Sequence, residues 1–327
     1  MIHHLDFEKP IVELEKKISE LRNLSKTGPM DLQKELGKLE AKLEEVKKHT
    51  YANLTPWQRV QIARHPRRPY TLDYIRMIFK NFIELFGDRT YADDKAMICG
   101  FGYLDDQKFL IIGHQKGRDA KENVYRNFGS AHPEGYRKAL RFMRLAAKFR
   151  IPIVVFIDTP GAYPGVGAEE RGQAHSIAHN LREMIQMPVP ILVFVIGEGG
   201  SGGALGVGVG DRVSVLENAY YSVISPEGCA AILWKDHTKA PTAAASLKLT
   251  AKDLLELGVI DQVVREPLGG AHFDPAFTAK EIVKIIRKYW KELREIKPAD
   301  LLEERYGKYR RLGVFEEGAG ARAEGAP

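Results

Sequence analysis

Cysteine is nearly missing from this chain of 327 residues: Cys99 and Cys229 are the only two. Two thiols cannot build a disulfide framework or a cysteine zinc site, so no metal is expected on these residues. Long apolar runs are missing too. A membrane-spanning helix needs roughly 18–20 apolar residues. The longest stretch here, 189–196, is short and interrupted by Pro190, so it reads as a buried strand. The opening Met1-Ile2-His3-His4-Leu5-Asp6-Phe7-Glu8 has neither a basic n-region nor an apolar h-region, which predicts a cytoplasmic chain. Charge of one sign is scarce: 49 Lys+Arg face 43 Asp+Glu, leaving a formal +6 and a pI near 9.1. With 44% hydrophobic and 28% charged residues, the composition excludes a disordered chain or a collagen-like repeat. The length suits one large domain with an appendage, or two domains.

The positive surplus concentrates in two places. One is Arg64-His65-Pro66-Arg67-Arg68-Pro69. The other is Arg137, Arg141, Arg144 and Lys148, whose spacing makes a basic stripe down one helix. Each reads either as a solvated face or as an anion or acidic-partner surface. Neither interleaves aromatics with the charges, as a single-strand binder does, so nucleic acid is not the leading idea.

Residues 1–55 differ from the rest. Ile11, Leu14, Ile18 and Leu21 recur at steps of three and four, and so do Leu32, Leu36, Leu39, Leu43 and Val46. Thr27-Gly28-Pro29-Met30-Asp31 between them is a helix stop followed by a start. The pattern predicts an antiparallel helical hairpin that must dock, either on the body of this chain or on another chain. Beyond residue 70 the pattern turns α/β. Strands are expected at 96–103 and 109–115 around Asp105-Asp106, then at 152–158, 191–196, 212–216 and 220–224. Helices are expected at 134–149, 168–186 and 278–293. Apolar strands alternating with helices imply a sheet covered on both faces. Residues 274–315 read as a helical extension and 316–327 as a low-complexity, disordered tail.

Two strand ends carry unusual loops. One is Asp158-Thr159-Pro160-Gly161-Ala162-Tyr163-Pro164-Gly165-Val166-Gly167. The other is Gly197-Glu198-Gly199-Gly200-Ser201-Gly202-Gly203-Ala204-Leu205-Gly206. Clustered glycines at a strand-to-helix turn let the backbone approach a ligand and leave helix N-terminal N–H groups unpaired. Such groups suit an anion or a developing oxyanion. Close packing of a small helix explains one such loop; two at the ends of buried strands favour a site. A competing reading is a serine hydrolase, because Gly199-Gly200-Ser201-Gly202-Gly203 satisfies G-x-S-x-G between a strand and a helix. Asp211, His237 and His272 lie downstream, yet nothing singles out one histidine as the base. A dinucleotide site is weaker still, since the spacing is not G-x-G-x-x-G.

Longer blocks add a resemblance. They are Arg64-His65-Pro66-Arg67-Arg68-Pro69-Tyr70-Thr71-Leu72-Asp73-Tyr74, Gly113-His114-Gln115-Lys116-Gly117-Arg118, Asn127-Phe128-Gly129 and Phe156-Ile157-Asp158-Thr159-Pro160-Gly161-Ala162-Tyr163-Pro164-Gly165. The 198–206 loop and Tyr221-Ser222-Val223-Ile224-Ser225-Pro226-Glu227-Gly228-Cys229-Ala230-Ala231-Ile232-Leu233-Trp234-Lys235 complete the set. From about residue 5 to about residue 273, hairpin included, the chain resembles the alpha subunit of bacterial acetyl-coenzyme A carboxylase carboxyltransferase. That resemblance implies a crotonase-like α/β superhelix of ββα units over 56–273. It also implies a separate beta chain, commonly in an α2β2 assembly, which brings a zinc ribbon of its own. The donor implied is carboxybiotin on a biotin carboxyl carrier protein, charged by biotin carboxylase. The acceptor is acetyl-CoA, and the product, malonyl-CoA, feeds fatty-acid synthesis.

The residues fit this chemistry better than hydrolysis. Decarboxylation of carboxybiotin puts negative charge on the ureido group, and proton loss from the acetyl methyl leaves an enolate; preorganised N–H donors stabilise both. The ureido nitrogen can itself take the methyl proton, so no side-chain base is required. By the resemblance, Gly202 and Gly203 supply backbone donors to the ureido oxygen, while the beta chain mainly holds the acetyl-CoA enolate. Gly161, Ala162, Gly199 and Gly200 are expected to line the same cleft. A side chain at Gly203 is expected to project into the space of the biotin ring.

Overall fold

The computed structural model describes residues 4–27 and 32–313. The expected Gly28-Pro29-Met30-Asp31 turn and the tail at 316–327 lie outside the described residues. Helices Lys9–Thr27 and Gln33–Ala52 occupy the segments with the apolar repeat. Ile11 and Ile18 are buried, and Leu14, Leu21, Leu39, Leu43 and Val46 are half-buried along the seam. The base of the pair is tied down where the Tyr51 hydroxyl donates to Glu8 Oε1 at 2.8 Å.

Eight strands form one sheet: β1 (Lys80–Glu84), β2 (Met97–Leu104), β3 (Gln107–His114), β4 (Ile153–Thr159), β5 (Ile191–Gly200), β6 (Arg212–Leu216), β7 (Tyr220–Ser222) and β8 (Gln262–Val264). The order is β1-β2-β3-β4-β5-β6-β8, with β7 on β5. β2 and β3 pair antiparallel around Asp105-Asp106, with Asp105 in the left-handed region at φ 52°. From β3 onward the pairs are parallel, and all of β4 and β5 is buried. That is why both read as unbroken apolar runs: each large aliphatic side chain taken from water adds about 1.5–3 kcal/mol. Helices Pro133–Lys148 and Pro275–Leu293 add Tyr136, Phe142, Met143, Ile282 and Ile286 to this core.

Two expectations are corrected, and one reading left open is narrowed. The helix expected at 168–186 is two helices, Val166–Glu170 and Gln173–Ile185, because Gly172 adopts φ 80° between them. β5 does not end at residue 196 but runs to Gly200, since its second half pairs with β7 through Glu198↔Tyr220, Gly199↔Tyr221 and Gly200↔Ser222. In the basic stripe, three of the four cations find partners within the chain, and Lys148 stays exposed. Arg137 pairs with Asp88 at 2.8 Å, Arg144 with Glu183 at 2.8 Å, and Arg141 donates to the Gly87 carbonyl. In the other basic cluster Arg68 is fully buried, donating to Glu266 and, at 2.7 Å, to the Ile196 carbonyl, while Arg64 is half-buried and Arg67 exposed.

Candidate active site

Parallel pairing puts the C-terminal ends of β3, β4 and β5 at one edge of the sheet, and both Gly-rich segments start there. β5 passes straight into the short helix Ser201–Leu205, and Ser201 makes the turn at φ 50°. The first-turn N–H groups of that helix have no partner four residues back within it. The two segments pack backbone to backbone. A Cβ on Gly203 would stand 2.4 Å from Ala162 N and 2.4 Å from Gly161 C, and one on Gly200 would stand 2.1 Å from the Pro160 carbonyl oxygen. Gly161, Ala162, Gly199, Gly200, Gly202 and Gly203 are therefore brought together. Gly199, Gly200 and Gly203 are buried, while Gly161, Ala162 and Gly202 are half-exposed. One expectation changes: a side chain at Gly203 strikes the 161–162 peptide, not open space. At Gly202 a Cβ meets nothing nearer than Ile177 Cδ1 at 3.7 Å.

Behind the glycines lies a charge cluster that sequence reading missed. Lys116, two residues past β3, places Nζ 2.7 Å from Asp158 Oδ1 and 2.7 Å from Glu198 Oε2. Arg64 Nε meets Glu198 Oε1 at 2.6 Å, the Tyr220 hydroxyl donates to that oxygen at 2.7 Å, and Arg64 also pairs with Glu227. Burial alone would raise the Glu198 carboxyl, but Lys116 and Arg64 outweigh it and hold it at about 2. Burial opposes the Lys116 ammonium, yet Asp158 and Glu198 keep it above the ordinary lysine range. The available signal was the appearance of charged residues at or just past the ends of otherwise apolar strands. In front of the cluster opens a pocket of about 450 Å³, lined by Arg64, Tyr70, Lys116, Phe128, Pro160 and Glu198 among others.

This edge offers backbone donors and shielded charges but no triad. Ser201 is exposed, and its hydroxyl makes no hydrogen bond among the described residues. Asp211 sits by the opposite end of the sheet, before β6, where it pairs with Arg305 at 2.8 Å. His272 stacks on His65 at 3.8 Å between ring centroids, and His237 is exposed in a short turn. His114 is fully buried, and burial together with Lys116 lowers it to about 3, so it is no base at neutral pH. Among the described residues no cluster of three or more His, Cys, Asp or Glu could hold a metal ion. No described helix is long and apolar enough to cross a membrane.

Among solved structures, transcarboxylase 12S superposes with a TM-score of 0.56 at 21% identity, over 71% of this chain and 43% of that one. The geranyl-CoA carboxylase beta subunit of P. aeruginosa gives 0.54 at 15% identity, over 77% and 45%. The chain thus spans less than half of either, and at these identities the likeness concerns the fold. Its class is that of the crotonase-like carboxyltransferases. Residues 4–313 match the acetyl co-enzyme A carboxylase carboxyltransferase-like family, so the resemblance reaches well past residue 273. The chain is 56% identical over 315 residues to the acetyl-coenzyme A carboxylase carboxyl transferase subunit alpha of Geobacter metallireducens, covering 96% of this chain and 99% of that one. The namesake from Thermus thermophilus is 55% identical over 313 residues, covering 96% and 99%. This chain belongs to that family of carboxyltransferase alpha subunits. Nothing supports the serine-hydrolase reading of Ser201.

Proposed function

We propose that this chain and a separate beta chain together transfer a carboxyl group from carboxybiotin to acetyl-CoA, forming malonyl-CoA for fatty-acid synthesis in the cytoplasm. The observation that carries this reading is the meeting of the Gly202-Gly203 turn with the Gly161–Ala162 peptide in a chain of this family. A bound carboxybiotin would supply the labile carboxyl, and its ureido oxygen would be the acceptor that the N–H donors of this turn would hold. The residues here fit such a group: a turn free of bulky side chains presents first-turn N–H donors, and Gly202 is half-exposed. Gly202 and Gly203 donate to that oxygen. Gly161 and Ala162 close the wall beside it, and Gly199 and Gly200 let the two walls approach.

The donor reaches the site on a biotin carboxyl carrier protein charged by biotin carboxylase, and any zinc belongs to the beta chain. The beta chain holds the thioester and completes an α2β2 assembly. The exposed apolar side chains Val223, Ile232 and Leu233 support a partner surface beside β7. The hairpin of residues 1–55 serves assembly, 56–273 is the carboxyltransferase body and 274–315 its helical extension.

The test is reconstitution. The purified chain alone is expected to form no malonyl-CoA, and addition of the beta chain is expected to restore turnover. Full activity from the lone chain would overturn the division of labour. A reconstituted pair that hydrolyses esters but transfers no carboxyl would overturn the reaction itself.

A further inference from the structure

β4 and β5 fall out of register just before the Gly-rich turn. Ile157 pairs with Val195, but the next pair is Thr159 with Gly199, so the single residue Asp158 faces the three residues Ile196, Gly197 and Glu198. A bulge like this bends a strand and re-aims the residues beyond it. Here those residues are Gly199-Gly200-Ser201-Gly202-Gly203. Each residue of the bulge is pinned. The Ile196 carbonyl accepts from Arg68 Nε at 2.7 Å, and the Glu198 N–H donates to Asp158 Oδ1 at 3.0 Å. The Asp158 carboxylate occupies the place of a Gly197 side chain, 2.5 Å from where its Cβ would stand. Lys116 then bridges Asp158 Oδ1 and Glu198 Oε2, 2.7 Å from each, with its side chain only 12% exposed. Gly129, at φ 80°, lies against the Lys116 stem, where its own Cβ would come within 2.9 Å of Cγ.

We propose that Lys116 is a positioning residue: by bridging Asp158 to Glu198 it locks the β5 bulge and so sets where the Gly202 and Gly203 N–H donors point. This rests on the carboxyltransferase reading for its catalytic consequence but not for its structural one. Lys116 reaches the turn through Asp158 and Glu198. A donor displaced by about an ångström loses rate by roughly 100-fold, because oxyanion stabilisation depends on preorganised geometry.

The bridge has a signature that loss of packing lacks. In Lys116→Met the two carboxylates face each other without the cation they share, Glu198 keeping only Arg64, and a proton taken up between them replaces the bridge. Turnover therefore recovers as the pH falls. The other titratable groups facing the clamp are Arg64 and Tyr220 on Glu198, with Arg68, Tyr70, Tyr74 and His114 around Asp158 and Lys116. Over roughly pH 6 to 9 the arginines stay charged, while the tyrosines and His114 stay neutral, so a new limb belongs to the carboxylates. Asp158→Asn added to Lys116→Met puts an amide donor beside Glu198 and restores a bridge with no titrating proton.

The experiment measures kcat and KM for acetyl-CoA, against pH, on the chain reconstituted with its beta partner, alongside amide exchange of residues 196–206 in the full chain alone. The expected results for Lys116→Met are a kcat about 100-fold lower, a KM within about twofold of wild type, recovery toward acid pH and faster exchange over 196–206. The double variant regains part of the turnover with a flat pH profile. If Lys116→Met aggregates, an active, pH-flat double variant still supports the clamp and an inactive one overturns it. Wild-type kcat and exchange in folded Lys116→Met overturn it, and so does a loss with neither acid recovery nor rescue. If the wild-type pair forms no malonyl-CoA, the carboxyltransferase reading fails while the exchange result decides the clamp by itself.

Discussion

Gly202 and Gly203 are neighbours in the sequence but not in surroundings. The space where a Gly203 side chain would stand is filled by the 161–162 peptide at 2.4 Å, whereas the Gly202 direction is clear to 3.7 Å. A methyl forced against backbone costs about 1–3 kcal/mol, so Gly203→Ala should lower the melting temperature by roughly 2–10 °C. Gly202→Ala should change stability by less than about 1 kcal/mol, since alanine also favours the helix. Thermal melts of the two variants side by side check this; equal Tm values would show that the 161–162 loop yields to a methyl. A loss of turnover in Gly203→Ala therefore reports a shifted wall, and Gly202→Ala is the cleaner probe of the donors.

At the scale of elements, the helix Pro298–Arg310 is anchored by a buried arginine, alongside Leu301 in the core and the contacts of Lys308 with Asp261 and Tyr309 with Gly210. Arg305 is 1% exposed and donates to both Asp211 oxygens and to the carbonyls of Met184, Met187 and Val189 at 2.7–2.9 Å. Asp211 Oδ2 also accepts the Ile191 N–H at 2.7 Å, so this arginine ties the C-terminal helix to the start of β5. Removing one partner of a buried pair strands the other, at a cost of about 3–5 kcal/mol. Arg305→Met should show that loss in urea unfolding, and Asp211→Asn in the same background should return part of it. A loss below about 1 kcal/mol would mean that the helix is held by apolar packing and not by this staple.

For the whole molecule, buried groups set the response to acid. His114 titrates near 3 in the fold, against about 6.5 in an unfolded chain. Between those values the unfolded chain binds a proton that the folded chain refuses, so stability falls as the pH drops, by up to about 1.4 kcal/mol per pH unit. Glu198, held at about 2, adds stability above its unfolded value of about 4.5 and loses it only as the pH falls from there toward 2. His114→Gln should therefore flatten the dependence between about pH 6.5 and 4.5 by one proton's worth, read from urea unfolding at several pH values. An unchanged slope would mean that His114 is protonated in the fold. Local pattern alone encodes the hairpin in its apolar repeat, the buried strands in their unbroken runs, and the Gly-rich turns in residues that only close backbone approach explains. Family-specific blocks such as Phe156-Ile157-Asp158-Thr159-Pro160-Gly161 pointed to the chemistry for the same reason, being contiguous. Features made by residues far apart meeting across strands came only with the folded chain. Only pairing with β7 shows that β5 continues through Gly200, and only the sheet edge brings Lys116, Asp158 and Glu198 within 2.7 Å contacts. The basic stripe could not be judged without its acids, because Asp88 and Glu183 reach it from other segments and charge pairing depends on distance in space, not along the chain.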